Sequence, residues 1–232
     1  FVVSITSTAP PMPTRIPFLK LPASQPRIAR EYQRRMATLV RRGRFILGEE
    51  VSHFEAEFAA FCGARYCVGV GNGTEALAIA LRLKGIQPGR AQEVITTPLT
   101  ASFTAHAILA AGARPVFADI DPGTLLLDPD AVRRRITPRT AAIIPVHLYG
   151  QCCDLEAFRA IAKHSGCALI QDAAQAHGID FHGRPLADFS DWVALSFYPT
   201  KNLGALGDAG ALITNRRALA EAAKRFRDGG RS

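Results

Sequence analysis

The sequence predicts an α/β domain, a mainly parallel sheet with helices on both faces. Three observations lead there. Short apolar runs recur along the chain, among them Tyr66–Val70, Ala141–Val146, Cys167–Gln171 and Trp192–Phe197, each of strand length. Stretches with apolar residues at helical spacing stand between most of them, such as Thr74–Leu83 and Leu155–Ser165. Strands that alternate with helices build a parallel sheet, and because such strands are buried on both faces they read as unbroken apolar runs.

Taken in order, residues 1–15 hold Pro10, Pro11 and Pro13 among serines and threonines and read as a mobile arm. The arm has no basic segment followed by a long apolar core, so it is not a signal peptide. The chain starts at Phe1 rather than Met, which reads as processing or as a start inside a longer frame. Residues 16–232 form one domain. Ile16–Leu21 is short and extended, and Arg27–Arg42 is a helix. A turn over Gly43–Gly48 leads to a second helix, Val51–Cys62, with Phe54, Phe58 and Phe61 on one face. The strand Tyr66–Val70 precedes the helix Thr74–Leu83. The strand Glu93–Thr97 precedes the helix Thr100–Ala111, which Gly112 ends. Arg114–Asp119 is a strand, Pro129–Ile136 a helix and Ala141–Val146 a strand. Gly166 stops the helix Leu155–Ser165 ahead of the strand Cys167–Gln171. Trp192–Phe197 and Ala211–Thr214 are strands, and Arg216–Phe226 closes as a helix.

Composition narrows the function. Of 232 residues 48% are hydrophobic and 21% charged, which suits a globular chain with a real core. No apolar run reaches membrane-spanning length. The net charge of +8 comes mainly from arginines, clustered at Arg34, Arg35, Arg41, Arg42 and Arg44 and at Arg133, Arg134, Arg135 and Arg139. No aromatics interleave them, so they read as solvated helix faces and not as a nucleic-acid surface. The five cysteines fit no zinc spacing, and they read as reduced thiols in a cytoplasmic protein.

Three stretches carry chemistry. Lys201 follows the apolar run Trp192–Leu195 and precedes Gly204, Gly207 and Gly210. A lysine buried there would lose hydration, and its neutral amine would attack an aldehyde. Asp172 ends another apolar run, where open α/β sheets bind ligands. It could hold a protonated pyridine nitrogen, or it could simply cap a helix. Gly71-Asn72-Gly73-Thr74-Glu75-Ala76-Leu77 joins a strand to a helix, whose free N–H groups and Thr74 hydroxyl suit a phosphate. Thr74 could also serve as the helix cap. An amine, an acid and a phosphate cradle are the three attachments that pyridoxal phosphate needs.

The chain resembles the DegT/StrS family of sugar aminotransferases, enzymes of the fold type I class that use pyridoxal 5'-phosphate. The resemblance rests on Phe45-Ile46-Leu47-Gly48, on GNGTEAL from Gly71, on ARPVFADIDP from Ala113 and on IIPVHLYGQ from Ile143. QDAAQAHG from Gln171 and SFYPTKNLGALGDAGALITN from Ser196 complete it. It implies that Lys201 bonds to the cofactor and, once displaced, moves a proton between the amino donor's α-carbon and the cofactor. It implies that Asp172 pairs with the ring nitrogen and Gln175 with the phenolic oxygen. Gly73, Thr74, Glu75 and Ser196 would hold the phosphate. His147 and Tyr149, after the Ala141–Val146 strand, would touch substrate or pack inside.

The implied substrates are a nucleotide-linked keto-sugar and an amino-acid donor, glutamate or glutamine, handled by a homodimer. Relatives that dehydrate sugars carry histidine in place of the lysine, so Lys201 favours transamination. Where the family places an aromatic against the ring this chain has Ala101, so that either Phe103, two residues on, compensates or the ring is gripped less well. The family continues into a smaller C-terminal domain that is absent from these 232 residues. The chain therefore reads as the large cofactor-binding domain, or as a non-catalytic binding or dimerising module.

Overall fold

The computed structural model describes residues 18–21 and 25–231. The expected arm at 1–15 and the start of the extended stretch at 16 and 17 lie outside them. Two helices open the fold, α1 (Pro26–Arg42) and α2 (Glu49–Phe61). Then follow β1 (Tyr66–Val70), α3 (Gly73–Leu83), β2 (Glu93–Thr96), α4 (Phe103–Ala111) and β3 (Arg114–Phe117). The chain continues through α5 (Pro129–Arg135), β4 (Thr140–Ile144), α6 (Leu155–Ser165) and β5 (Ala168–Asp172). A small hairpin, β6 (Asp180–Phe181) and β7 (Arg184–Pro185), leads to β8 (Trp192–Ser196), β9 (Gly210–Thr214) and α7 (Arg217–Arg227).

Seven strands form one sheet in the order β1-β9-β8-β5-β4-β2-β3. β9 runs against both of its neighbours, and the other pairings join parallel strands. Alternate residues serve opposite faces, as the two-residue period of a strand requires. In β8, Trp192 and Ala194 face a core built with α3, α4 and α7, where Leu77, Leu81, Ile108 and Ala220 are buried. Val193 and Leu195 face the other side, against Phe58 of α2 and Leu155 at the start of α6. Val132 of α5 and Phe158 of α6 extend that second layer over Ile95 and Ile143. Both faces are covered, as the sequence predicts.

Three details differ from expectation. Helix α4 starts at Phe103, not Thr100, because the Thr104 N–H closes a tighter turn on the Ala101 carbonyl at 3.3 Å and i→i−4 bonding begins only with the His106 N–H to the Ser102 carbonyl at 2.9 Å; ahead of it the Thr97 hydroxyl accepts the Leu99 N–H at 3.0 Å. Within α2, Phe58 is buried but Phe61 is 64% exposed, so the phenylalanine face is only partly covered. The β6–β7 hairpin had no sequence expectation. His182 and Gly183 make its turn with φ of 53° and 75°, the two left-handed positions of a type I′ turn.

Arg34 and Arg35 pair with Glu31 on the exposed face of α1, and Arg42 with Glu49 and Glu50. These are exposed ion pairs worth little each. Among the described residues no helix is long and apolar enough to cross a membrane.

Candidate active site

β1, β5 and β8 run in one direction, so their C-terminal ends open on the same edge of the sheet. At the end of β1 the chain turns into α3. Asn72 caps that helix, its Oδ1 accepting the Glu75 N–H at 2.8 Å. The Glu75 carboxylate reaches back and accepts the Gly71 N–H at 2.6 Å. This reciprocal cap satisfies the turn from both sides. Thr74 is therefore not the cap, and its hydroxyl has no partner among the described residues. Glu75 also has no N–H left to offer, so the open first-turn donors are those of Gly73 and Thr74.

Glycine is required twice around this turn. A Cβ on Gly73 would stand 2.8 Å from the Ser196 Cβ. One on Gly210 would stand 2.3 Å from the Asn72 carbonyl carbon. The backbones of β8 and β9 thus close on the start of α3. Ser196 ends β8 beside it, and its Oγ accepts the Tyr198 N–H at 3.3 Å, which leaves the hydroxyl proton free to donate outward.

Asp172 ends β5 at 6% exposure. Its Oδ2 accepts the Thr104 hydroxyl at 2.8 Å and its Oδ1 the Ala174 N–H at 3.1 Å. Burial raises its pKa, and these two donors and the Lys201 charge oppose the rise. Gln175 lies on the turn after Asp172. Its Oε1 accepts the Tyr149 N–H at 3.0 Å, which leaves its amide N–H groups as the open half. Tyr149 itself is 68% exposed, with a left-handed φ of 56°.

Lys201 is half-buried in the turn beyond β8, so it does not sit at a buried strand end as the sequence suggests. The turn is closely bonded: Lys201 N–H donates to the Tyr198 carbonyl at 2.8 Å and Ala205 N–H to that of Phe197 at 2.7 Å. His177 clamps it from outside. Its Nδ1 accepts the Leu203 N–H at 3.2 Å, so the Nε2–H donates to the Ser196 carbonyl at 2.9 Å. The imidazole also stacks on Phe197 with ring centres 5.2 Å apart.

Of the two alternatives for His147 the structure has the second, packing inside: it is fully buried. Its Nδ1 accepts the Cys153 N–H at 3.1 Å, and its Nε2 pairs with Gln171 at 2.9 Å. Burial lowers its pKa to about 4, so it is a neutral core group. Phe103 is 62% exposed and lies edge-on to His106, and Ala101 is exposed ahead of it.

Asn72, Thr104 and His177 were not singled out in the sequence. Asn72 had a local signal, an Asn three residues ahead of a Glu at a strand–helix junction. Thr104 and His177 had none. Among the described residues no three His, Cys, Asp or Glu gather as a metal site, and all five cysteines are free thiols.

This mostly parallel seven-stranded α/β fold is the large-domain architecture of the aminotransferases that use pyridoxal phosphate. The chain belongs to the DegT/DnrJ/EryC1/StrS aminotransferase family, whose model matches residues 26–232. It is 50% identical over 185 residues to the dTDP-3-amino-3,4,6-trideoxy-alpha-D-glucose transaminase of Micromonospora megalomicea subsp. nigra, covering 80% of this chain and 49% of that protein. The crystal structure of Streptomyces venezuelae DesV superposes with a TM-score of 0.88 at 43% identity, over 94% of this chain and 58% of that one. Bacillus subtilis NtdA, solved with its cofactor PMP, superposes with a TM-score of 0.80 at 34% identity, over 85% and 44%. The chain spans about half the length of the curated relatives it matches.

Proposed function

We propose that residues 16–232 are the large, cofactor-binding domain of a pyridoxal 5'-phosphate-dependent aminotransferase. Its substrates would be a nucleotide-linked keto-sugar, in keeping with the dTDP-linked amino sugar in the name of the Micromonospora relative, and an amino-acid donor such as glutamate or glutamine. The observation that carries this reading is the convergence of the α3 start, Asp172 and the Lys201 turn on one edge of the sheet. The residues present fit the group. The N–H groups of Gly73 and Thr74 are open donors at a helix start that glycines let pack closely against Ser196 and Gly210, and a buried acid stands within electrostatic reach of the lysine.

Pyridoxal phosphate supplies, when bound, a carbonyl that accepts an amino group and a ring that draws off electrons. The chain's own residues do the rest. The N–H groups of Gly73 and Thr74, with the hydroxyls of Thr74 and Ser196, would hold the phosphate at the start of α3. Asp172 would keep the ring nitrogen protonated, and the Gln175 amide would donate to the ring oxygen. Lys201 Nζ would bond to the cofactor and later carry a proton to and from the donor's α-carbon. The protein would act as a homodimer in the cytoplasm. The turn ahead of α2 supports a partner surface, since Phe45 and Ile46 are 62% and 80% exposed.

The test is to incubate the chain with pyridoxal phosphate, reduce with borohydride and map the product by mass. The cofactor's mass on Lys201, absent in Lys201→Ala, is the expected result. Glutamate and a panel of dTDP- and UDP-keto-sugars should then give an amino sugar. Labelling spread over surface lysines, with none on Lys201, would sink the reading.

A further inference from the structure

We infer that Thr104, backed by Thr100, is a positioning residue that holds the Asp172 carboxylate ionised and fixed in orientation as the partner of the cofactor's ring nitrogen. The inference rests on the cofactor reading above and goes beyond it, because it assigns the group that governs the acid.

The geometry is a short relay. Thr104 sits in the first turn of α4 at 2% exposure. Its Oγ1 donates to Asp172 Oδ2 at 2.8 Å. A hydroxyl has a single proton, so Thr104 Oγ1 must accept from the Thr100 hydroxyl, 3.1 Å away. The order of donation is Thr100 to Thr104 to Asp172, and each bond polarises the next. On the other side Asp172 Oδ1 accepts the Ala174 N–H. One donor on each oxygen fixes the plane of the carboxylate and leaves further lone pairs open.

Two other groups, and burial itself, bear on the acid. Lys201, from the turn after β8, favours the ionised form, as the two donors do. Burial opposes it. The Cys153 thiol, also buried, senses the Asp172 charge and would itself be raised by it. Of the groups that favour ionisation, Lys201 is the one the chemistry would consume, since its amine would bond to the cofactor. Thr104 and the Ala174 N–H remain in place throughout.

Thr104→Val removes the hydroxyl and keeps the shape, whereas Thr104→Ser keeps the hydroxyl. In the chain without cofactor, carbon-detected NMR of labelled aspartate should show the Asp172 midpoint about one pH unit higher in T104V, the scale of one hydrogen bond to a charged group. T104S should stay near wild type. With pyridoxal phosphate labelled with 15N, the ring-nitrogen shift should move towards the unprotonated value in T104V only, and cofactor affinity should fall about tenfold. Should T104V not fold, Thr100→Val carries the same test with a smaller upward shift. A wild type that binds cofactor beside a T104V variant with unchanged Asp172 midpoint and ring-nitrogen shift overturns the role of Thr104 alone. So does a T104S variant that behaves as T104V, because packing would then be the cause. A folded wild type that binds no cofactor overturns the cofactor reading and this role with it.

Discussion

His147 and His177 bond alike and do opposite things. Each accepts a backbone N–H at Nδ1, and both have an acceptor at Nε2. His147 spends these bonds inside the core, between Cys153 and Gln171. His177 spends them on the two flanks of Lys201, at Ser196 and Leu203. His177→Ala would leave two backbone groups unpaired, at a cost of about 1–3 kcal/mol each where water does not replace the bond. The expected outcome is a lower urea midpoint and weaker cofactor binding, since the Lys201 turn must then be ordered on binding. Unchanged cofactor affinity would show that the turn holds itself. The sequence made Lys201 and Asp172 legible because each stands close behind an apolar run of strand length. It hid Thr104 and His177 because their partners lie 68, 19 and 26 positions away. No local pattern encodes such a contact.

Strands read more easily than helix starts. β1 and α6 match their expected bounds, since an apolar period fixes them. α4 begins late because the Thr104 N–H closes a tighter turn on the Ala101 carbonyl instead of bonding to Thr100. β2 carries a further feature that no period could show. Glu93, its first residue, is 1% exposed and accepts from Thr137, Arg114 and Arg139, so it ties β2 to β3 and to the approach to β4. The Thr137 hydrogen bond first, then Arg114 and Arg139, lower its pKa from 4.5 to about 2. A carboxylate with a depressed folded pKa stabilises fully above its unfolded value and loses that contribution as pH falls towards the folded one. The chain should therefore lose stability between about pH 4.5 and pH 2 in part through Glu93. Glu93→Gln should lower Tm by a few degrees at pH 7 and flatten that acid limb. Parallel Tm–pH curves for the two proteins would refute the assignment.

At the scale of the molecule the two-sided core follows from alternation along each strand, and composition with periodicity sufficed to foresee it. Strand order was not foreseeable, because pairing depends on which distant edges meet. β9 is the case in point. Among the described residues it is the one strand of the seven-stranded sheet that runs against its neighbours and the one that pairs with β1, and its first residue, Gly210, closes against Asn72 and Gly73. Arg65, at the head of β1, donates to Asn215, 150 positions on. Contacts of such span are slow to form, because a long loop must close before they stabilise anything. A chain ended at Asp208 should keep α3 but show fast amide exchange over residues 66–70 and no cofactor capture. Slow exchange there would mean that β1 finds another neighbour. During synthesis the turn at Asn72 leaves the ribosome early and waits for Gly210 to arrive. The proposed cradle would thus be written near the start of the domain and finished near its end, so that a nascent chain would have no working site until nearly all of the sheet had been made.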